Sequence, residues 1–175
     1  MKDNPNDKVY TPEFIVDEVL EVFGSEIESH SVILEPFRGG GAFYDKLKPL
    51  ATKLNGDVEW CEIDEGMCFF EYNSSVDWII TNPPYSIFKE ILPKMLEVAD
   101  NIVLVIPMNK LLSSMPRLMD IKRAGSNIKH IHYLGSGRQL KFPFGFPVGA
   151  VYIQRGYEGD VKITYADRCY NAKAK

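Results

Sequence analysis

The sequence has no apolar run long enough to cross a membrane, since a transmembrane helix needs about 20 such residues. Its polar start, MKDNP, is not a signal peptide. The three cysteines are scattered and lack metal-ligand spacing, which favours reduced thiols in a cytoplasm. These absences argue against a membrane protein, a secreted disulfide scaffold and a cysteine-based metal site. Without repeats or low-complexity segments, the 175 residues are expected to form one domain with a flexible start at residues 1–8.

The sequence also lacks the excess of positive charge that is typical of a general nucleic-acid binder, because its net charge is -4. The charges are unevenly distributed, however. Residues 1–107 carry 8 Lys and Arg against 20 Asp and Glu, whereas residues 108–175 carry 12 against 4. This asymmetry favours one face that binds a polyanion, although a merely solvated basic surface is the alternative.

Alternating short apolar runs and longer amphipathic segments predict an α/β fold. A Thr-Pro-Glu start and Gly24 delimit the first helix, whose N-cap is predicted at Thr11. The other helices are expected at residues 43–50, 86–98 with a possible kink at Pro93, and 111–124 with a break at Pro116. The predicted strands are residues 31–34, 58–63, 78–80, 101–106, 128–133, 149–154 and 161–165.

A glycine-rich segment, EPFRGGGAF, directly follows the first predicted strand and precedes a helix. Glycines permit a tight turn and close approach of a ligand to the backbone, and the N–H groups at the start of a helix face such a turn. The next predicted strand ends in acid, with Glu62 and Asp64 a little over 20 residues beyond the glycines, where an acid can bind the hydroxyls of a ribose. The pattern is typical of nucleotide-binding folds, with a plain turn and a solvated acid as the alternatives.

The five residues Thr81-Asn82-Pro83-Pro84-Tyr85 follow the apolar run Trp78-Ile79-Ile80. Two prolines make this segment a stiff loop at the carboxyl end of a strand, the edge at which α/β sheets bind ligands. The Asn82 side chain and the Pro83 carbonyl can accept the two N–H groups of an amine, and the Tyr85 ring can stack on a flat heterocycle. A structural Pro-Pro turn is the alternative, but the combination favours a site for a planar amine.

With these motifs placed, the chain resembles the S-adenosylmethionine-dependent, adenine-specific DNA amino-methyltransferases, most of all the small phage and prophage enzymes. The resemblance spans about residues 10–165 and has the gamma order of motifs: Tyr-Thr-Pro, cofactor loop, Asn-Pro-Pro-Tyr. It implies a Rossmann-like, doubly wound, mostly parallel sheet with an antiparallel C-terminal edge. It further implies S-adenosylmethionine as cofactor, DNA as partner, and a cytoplasmic location in a bacterial cell or phage-infected host.

The resemblance also implies a role for each matching residue. Contact with the cofactor is implied for Tyr10, Thr11, Pro12, Glu35, Pro36, Phe37, Gly39, Gly41, Glu62, Asp64 and Asn82. Catalysis is implied for Asn82, Pro83 and Tyr85, with Tyr85 also stacking on the base. For the substrate, one of Phe142, Phe144 and Phe146 is implied to pack on the flipped base. The candidates for phosphate contacts are Arg138, Lys141, Lys122, Arg123 and Lys129.

The chain departs from the family pattern at Gly66-Met67-Cys68-Phe69-Phe70, where the family often has an aspartate in place of Cys68. The role of that carboxylate is expected to pass to another group, such as Asp64. A separate target-recognition domain is not expected in this chain. The alternatives are methylation of a protein glutamine or of an RNA amine, and a degenerate protein that binds cofactor or DNA without activity.

Overall fold

A computed structural model describes residues 10–167. Seven strands form one sheet: β1 (Val32–Glu35), β2 (Asp57–Trp60), β3 (Val76–Thr81), β4 (Ala99–Pro107), β5 (Ser126–Ser136), β6 (Pro147–Arg155) and β7 (Lys162–Tyr165). Five α-helices connect them: α1 (Glu13–Phe23), α2 (Ala42–Lys53), α3 (Phe88–Val98), α4 (Met108–Leu112) and α5 (Met115–Arg123). The predicted flexible start at residues 1–8 and Cys169 lie outside the described residues.

The strand order is β2-β1-β3-β4-β6-β5-β7. The strands β1 to β4 pair in parallel, as do β5 and β7, whereas β6 runs antiparallel to both of its neighbours, β4 and β5. The predicted α/β, mostly parallel sheet with antiparallel pairing at its C-terminal side is therefore confirmed. The antiparallel strand β6 is not at the edge but two positions inside it, because β5 and then β7 lie outside it.

Helices cover both faces of the sheet, which confirms the doubly wound arrangement. Alternation along each strand sends successive side chains to opposite faces. On one face, Trp78 and Ile80 of β3 pack with the buried side chains of α1 and α2. On the other face, Ile79 packs with α3 and with Ile121 of α5. The centre of the sheet thus lies between two apolar layers.

Between β2 and β3 the chain forms only two short 3₁₀ turns, Ile63–Glu65 and Phe69–Glu71. Strand β1 pairs directly with both β2 and β3. The loops that follow these three strands are therefore neighbours.

Several predicted boundaries are wrong. Helix α1 begins at Glu13 with Pro12 at its N-cap and no side-chain cap, so Thr11 does not cap it. Helix α3 begins at Phe88 and not at residue 86, because residues Tyr85–Ile87 form a 3₁₀ turn first. Strand β2 ends at Trp60, which leaves Glu62 in the loop beyond it.

Proline affects the later helices in two ways. Pro93 lies inside α3 without splitting it, since buried Ile91, Leu92 and Met95 pack on both sides of it. The predicted restart near Pro116 is confirmed, because α5 begins at Met115 with proline in its first turn.

Candidate active site

The site is built at the carboxyl edge of the parallel strands, where the loops after β1, β2 and β3 meet. Strand β1 ends at Glu35 and leads into the glycine loop, defined as residues 36–41. Glu62 follows β2, and Asn82 follows β3. Because these three strands are adjacent and parallel, groups that are distant in the sequence come together at one edge.

The glycine loop turns tightly and is tied to the carboxylate of Glu62. Gly39 and Gly41 have φ angles of 50° and 87°, a left-handed conformation in which a side chain is strained. The Gly39 N–H donates to Glu62 Oε2 at 2.6 Å, and the Asp64 N–H donates to Oε1 at 3.1 Å. The structure therefore brings Glu62 to the loop, whereas Asp64 lies exposed beside it.

The predicted N-terminal motif lies over the same loop. An added Cβ on Gly40 would come within 3.1 Å of the Tyr10 ring, so this ring lies directly against the loop. Tyr10 is nevertheless 69% exposed, and it leaves one side of its ring open to a ligand. Thr11 and Pro12 are half-buried, and the Thr11 hydroxyl contacts the Asn82 side chain.

Glu35 lies under the glycine loop and is almost completely buried, at 1% exposure. The Thr81 hydroxyl donates to Glu35 Oε1 at 2.5 Å, and the Phe37 N–H donates to the same oxygen at 3.3 Å. Burial raises the pKa of Glu35 to about 8, because removal of water penalises the charged form more than these two bonds favour it. The site thus holds a largely protonated carboxyl near neutral pH.

The side chain of Asn82 is held at both ends of its amide. Its Nδ2 donates to Thr11 Oγ1 at 3.0 Å, and its Oδ1 accepts from the Tyr85 hydroxyl at 2.5 Å. Burial raises the pKa of Tyr85 above its ordinary value, so the hydroxyl stays protonated and acts as the donor. Pro83, between the two, is buried.

An aromatic loop, defined as residues 137–146, closes the side of the site next to Tyr85. The ring of Phe144 meets the Tyr85 ring edge-on, with centroids 5.7 Å apart. Phe142 stacks under Phe144 at 5.3 Å but is buried in the core, whereas Phe146 is 53% exposed. Of the three phenylalanines singled out in the sequence, Phe144 is the one in ring contact with Tyr85.

The predicted basic residues divide into two groups. Arg138 and Lys141 are exposed on the aromatic loop. Lys122, Arg123 and Lys129 lie near the start of β5, at the opposite edge of the sheet, and Lys129 pairs with Glu26 at 2.8 Å. The structure therefore does not bring these last three to the site.

Sequence reasoning assigned no role to two residues that shape the site. The Thr81 hydroxyl donates a hydrogen bond to Glu35. In the sequence, only the position of Thr81 next to Asn82 pointed to this residue. The Arg38 guanidinium lies 3.9 Å from the centre of the Trp60 ring and pairs with Glu65. It therefore fastens the glycine loop to β2 and the turn beyond it, a contact that no sequence pattern indicated.

Cys68, where the family often has aspartate, is half-buried at the start of the turn Phe69–Glu71.

Within residues 10–167, no helix is both long and apolar enough to pass through a bilayer.

No protein-family model and no curated sequence matches the chain. Solved structures with a similar fold include a candidate RNA methyltransferase from Pyrococcus horikoshii, at 17% identity and a TM-score of 0.65, covering 89% of this chain and 91% of that one. A candidate class I S-adenosylmethionine-dependent methyltransferase from Listeria monocytogenes matches at 12% identity and a TM-score of 0.64, with coverages of 96% and 68%.

A third similar structure is the methyltransferase subunit of a type I restriction-modification system from Streptococcus thermophilus. It matches at 13% identity and a TM-score of 0.62 over 92% of this chain, which spans about half (48%) of that subunit. At these identities the likeness establishes the fold: this chain has the Rossmann-like architecture of the class I methyltransferases.

Proposed function

We propose that the chain transfers a methyl group from S-adenosylmethionine to the exocyclic amine of adenine in DNA. The observation that carries the proposal is the Asn82 amide at the carboxyl end of β3, next to the glycine loop and beside Tyr85. A fold shared by many activities does not identify a reaction, so the argument depends on this site.

The residues present fit the cofactor. Glu62 has two oxygens next to the glycine loop, and these match the two hydroxyls of a ribose once the Gly39 and Asp64 bonds rearrange. The half-open Tyr10 ring against Gly40 offers a flat apolar surface beside the loop. When bound, S-adenosylmethionine supplies an electrophilic methyl group on a positively charged sulfur.

The amine of adenine is a weak nucleophile, because its lone pair is delocalised into the ring. In the proposed mechanism, Asn82 Oδ1 and the Pro83 carbonyl oxygen accept its two N–H bonds and turn the lone pair toward the methyl carbon. Held in this way, the amine faces the methyl group that bound S-adenosylmethionine would supply as its S–C bond breaks, and the extra proton on nitrogen would then leave to water. Positioning supplies most of the rate enhancement, and no strong base is required.

Tyr85 has two parts in this mechanism. In the structure its hydroxyl donates to Asn82 Oδ1, the atom that must accept the substrate amine. The ring therefore swings away to stack on the extruded base, toward the edge of Phe144. Such stacking offsets part of the few kcal/mol that base extrusion costs.

RNA and a protein glutamine are the alternative substrates to DNA. The P. horikoshii protein with a similar fold is described as an RNA methyltransferase, and the Asn-Pro-Pro-Tyr loop also suits a glutamine amide. The exposed Arg138 and Lys141 beside the site favour a polyanion over a peptide. They do not distinguish DNA from RNA.

The experiment that tests the proposal supplies purified protein with methyl-labelled S-adenosylmethionine and, in parallel, DNA, RNA and a protein mixture. We expect label in DNA and N6-methyladenine in its digest by mass spectrometry. Label in RNA or protein alone would overturn the DNA substrate. Tight cofactor binding with no label in any of the three would support a degenerate protein.

A further inference from the structure

The chemistry proposed for Asn82 depends on which way its side-chain amide faces. The oxygen of an amide accepts hydrogen bonds and the nitrogen donates them, although the two ends have nearly the same size. If the amide is rotated by half a turn, it presents N–H groups to an amine and cannot hold it. The protein therefore needs a contact that selects one orientation.

A hydroxyl can donate or accept, and in the structure the Thr11 hydroxyl accepts from the nitrogen end of the amide, which leaves Oδ1 toward Tyr85. Thr11 Oγ1 lies 3.0 Å from Asn82 Nδ2, although the two residues are 71 positions apart in the sequence. Thr11 is itself held by its neighbours. Tyr10 packs on Gly40, and the Pro12 carbonyl accepts from the N–H of Ile15, a core residue of α1 with 1% exposure.

The contacts that Thr11 and Tyr85 make with the amide differ in whether they can persist during the reaction. The Tyr85 hydroxyl lies on Oδ1 and competes with the substrate amine for that oxygen. Thr11 lies on the opposite, nitrogen end and does not compete. When Tyr85 leaves to stack on a base, Thr11 can continue to hold the amide with Oδ1 facing the pocket.

We infer that Thr11 is a positioning residue for the reaction: its hydroxyl orients the Asn82 amide so that Oδ1 accepts the substrate amine. The inference rests on the proposed methyl transfer at Asn82. It assigns Thr11 a role in the chemical step, in addition to the cofactor contact that the sequence resemblance implies.

Three variants test this inference. Thr11→Val keeps the side-chain shape but removes the hydroxyl, and Thr11→Ser keeps the hydroxyl. Thr52→Val is the matched control. It removes the hydrogen bond that the Thr52 hydroxyl donates to the Lys48 carbonyl, on an exposed part of α2 away from the site. Each is assayed for kcat at saturating S-adenosylmethionine and DNA, and for cofactor affinity by calorimetry.

We expect Thr11→Val to lower kcat about tenfold, the effect of one lost positioning hydrogen bond, while the Kd for the cofactor changes less than about twofold. Thr11→Ser and Thr52→Val should stay within about threefold of the wild-type kcat. An unchanged kcat in Thr11→Val, with or without weaker cofactor binding, would overturn the inference and leave Thr11 as at most a cofactor contact.

A second readout does not depend on activity. The side-chain NH₂ of Asn82, followed by NMR, should exchange with solvent at similar rates in wild type and Thr11→Ser, and about tenfold faster in Thr11→Val. Equal exchange rates in Thr11→Val and wild type would overturn the inference. If the wild-type protein methylates no substrate but the exchange rates differ as expected, the proposed function fails while the orienting contact stands.

Discussion

At the level of single residues, Glu35 has the most unusual environment, since a carboxyl group with 1% exposure lies under the ligand loop. Burial raises its pKa from 4.5 to about 8. A raised pKa in the folded state means that the native protein binds this proton more tightly than the unfolded chain does. Its contribution to stability is therefore fully present below pH 4.5 and is lost as the pH rises toward about 8.

Glu35→Gln has a similar shape and cannot ionise, so it should escape this loss. We expect the free energy of unfolding of the variant, relative to wild type, to rise by roughly 2–5 kcal/mol between pH 4.5 and 8.5. Urea unfolding at several pH values measures it. Glu71→Gln, an exposed carboxyl-to-amide change, is the control that should run parallel to wild type. Parallel curves for Glu35→Gln and wild type would contradict the buried, protonated state.

Asn82 is the residue on which the proposed chemistry depends. We expect Asn82→Ala to reduce methyl transfer at least about 100-fold, because it removes an acceptor that positions the amine. The Kd for S-adenosylmethionine should change little, since the glycine loop and Glu62 remain. Single-turnover transfer and calorimetry check the two halves of this prediction. Asn73→Ala, in the exposed turn before β3, is the control, and an active Asn82→Ala enzyme would refute the mechanism.

The ring and the hydroxyl of Tyr85 can be tested separately. Tyr85→Ala removes the stacking surface and should lower kcat/KM for DNA about tenfold or more, the cost of one base-stacking contact. Tyr85→Phe keeps the ring and removes only the hydroxyl that occupies Asn82 Oδ1, so it should stay within about threefold of wild type. Steady-state kinetics with DNA varied at saturating cofactor distinguishes the two. A phenylalanine variant as impaired as the alanine variant would assign the role to the hydroxyl instead.

The sequence indicated the functional candidates among these residues but not the contacts that hold them. Asn82 and Glu62 stand out because each follows an apolar run that ends at a turn. The bonds from Asn82 to Thr11 and from Thr81 to Glu35 join residues 71 and 46 positions apart. Such contacts depend on the pairing of β1 with β3 and on the approach of the segment before α1, which no local pattern encodes.

Among the elements of the fold, the aromatic loop is the one whose shape most affects the proposed substrate pocket. The Gly137 N–H donates to the Phe146 carbonyl, and the Phe142 N–H donates to the Gly137 carbonyl, both at 2.8 Å. A Cβ on Gly137 would lie 2.4 Å from the Phe144 carbonyl oxygen and 2.7 Å from its ring. Only glycine therefore allows Phe144 to lie where it meets Tyr85.

Gly137→Ala should consequently displace Phe144. We expect kcat/KM for DNA to fall about tenfold, comparable to the loss of one stacking contact, with an unchanged cofactor Kd. Gly24→Ala is the control, because Gly24 has an ordinary helical φ of -60° and its Cβ would meet only Leu50 at 3.7 Å. If Gly137→Ala had wild-type kinetics with DNA, the aromatic loop would not form part of the substrate pocket.

The secondary structure was largely predictable because the buried runs are strongly apolar. The errors concentrate at element ends, where polar residues join strands through pairing alone. Strand β5, for example, extends from Ser126 to Ser136 because β6 pairs with it at both ends, whereas its apolar alternation covers only residues 128–133.

For the whole molecule, the uneven charge of the sequence is only partly reflected in space. Of the basic residues considered, Arg138 and Lys141 lie on the aromatic loop beside the site, while Lys122, Arg123 and Lys129 lie near the opposite edge. The two halves of the sequence form separate parts of the sheet, β2-β1-β3-β4 and β6-β5-β7, and the basic residues of the second half are divided between its two ends. The basic C-terminal half alone is therefore a weak indicator of the DNA-binding surface.

The proposed activity of the whole chain is tested most directly in cells. DNA is isolated from bacteria that lack other adenine methylation and that express either the wild-type protein or Asn82→Ala, and it is digested to nucleosides for mass spectrometry. We predict N6-methyladenine in DNA with the wild-type protein and none above background with Asn82→Ala. Equal N6-methyladenine levels in the two samples, or none in either at matched expression, would contradict adenine methylation of DNA at Asn82.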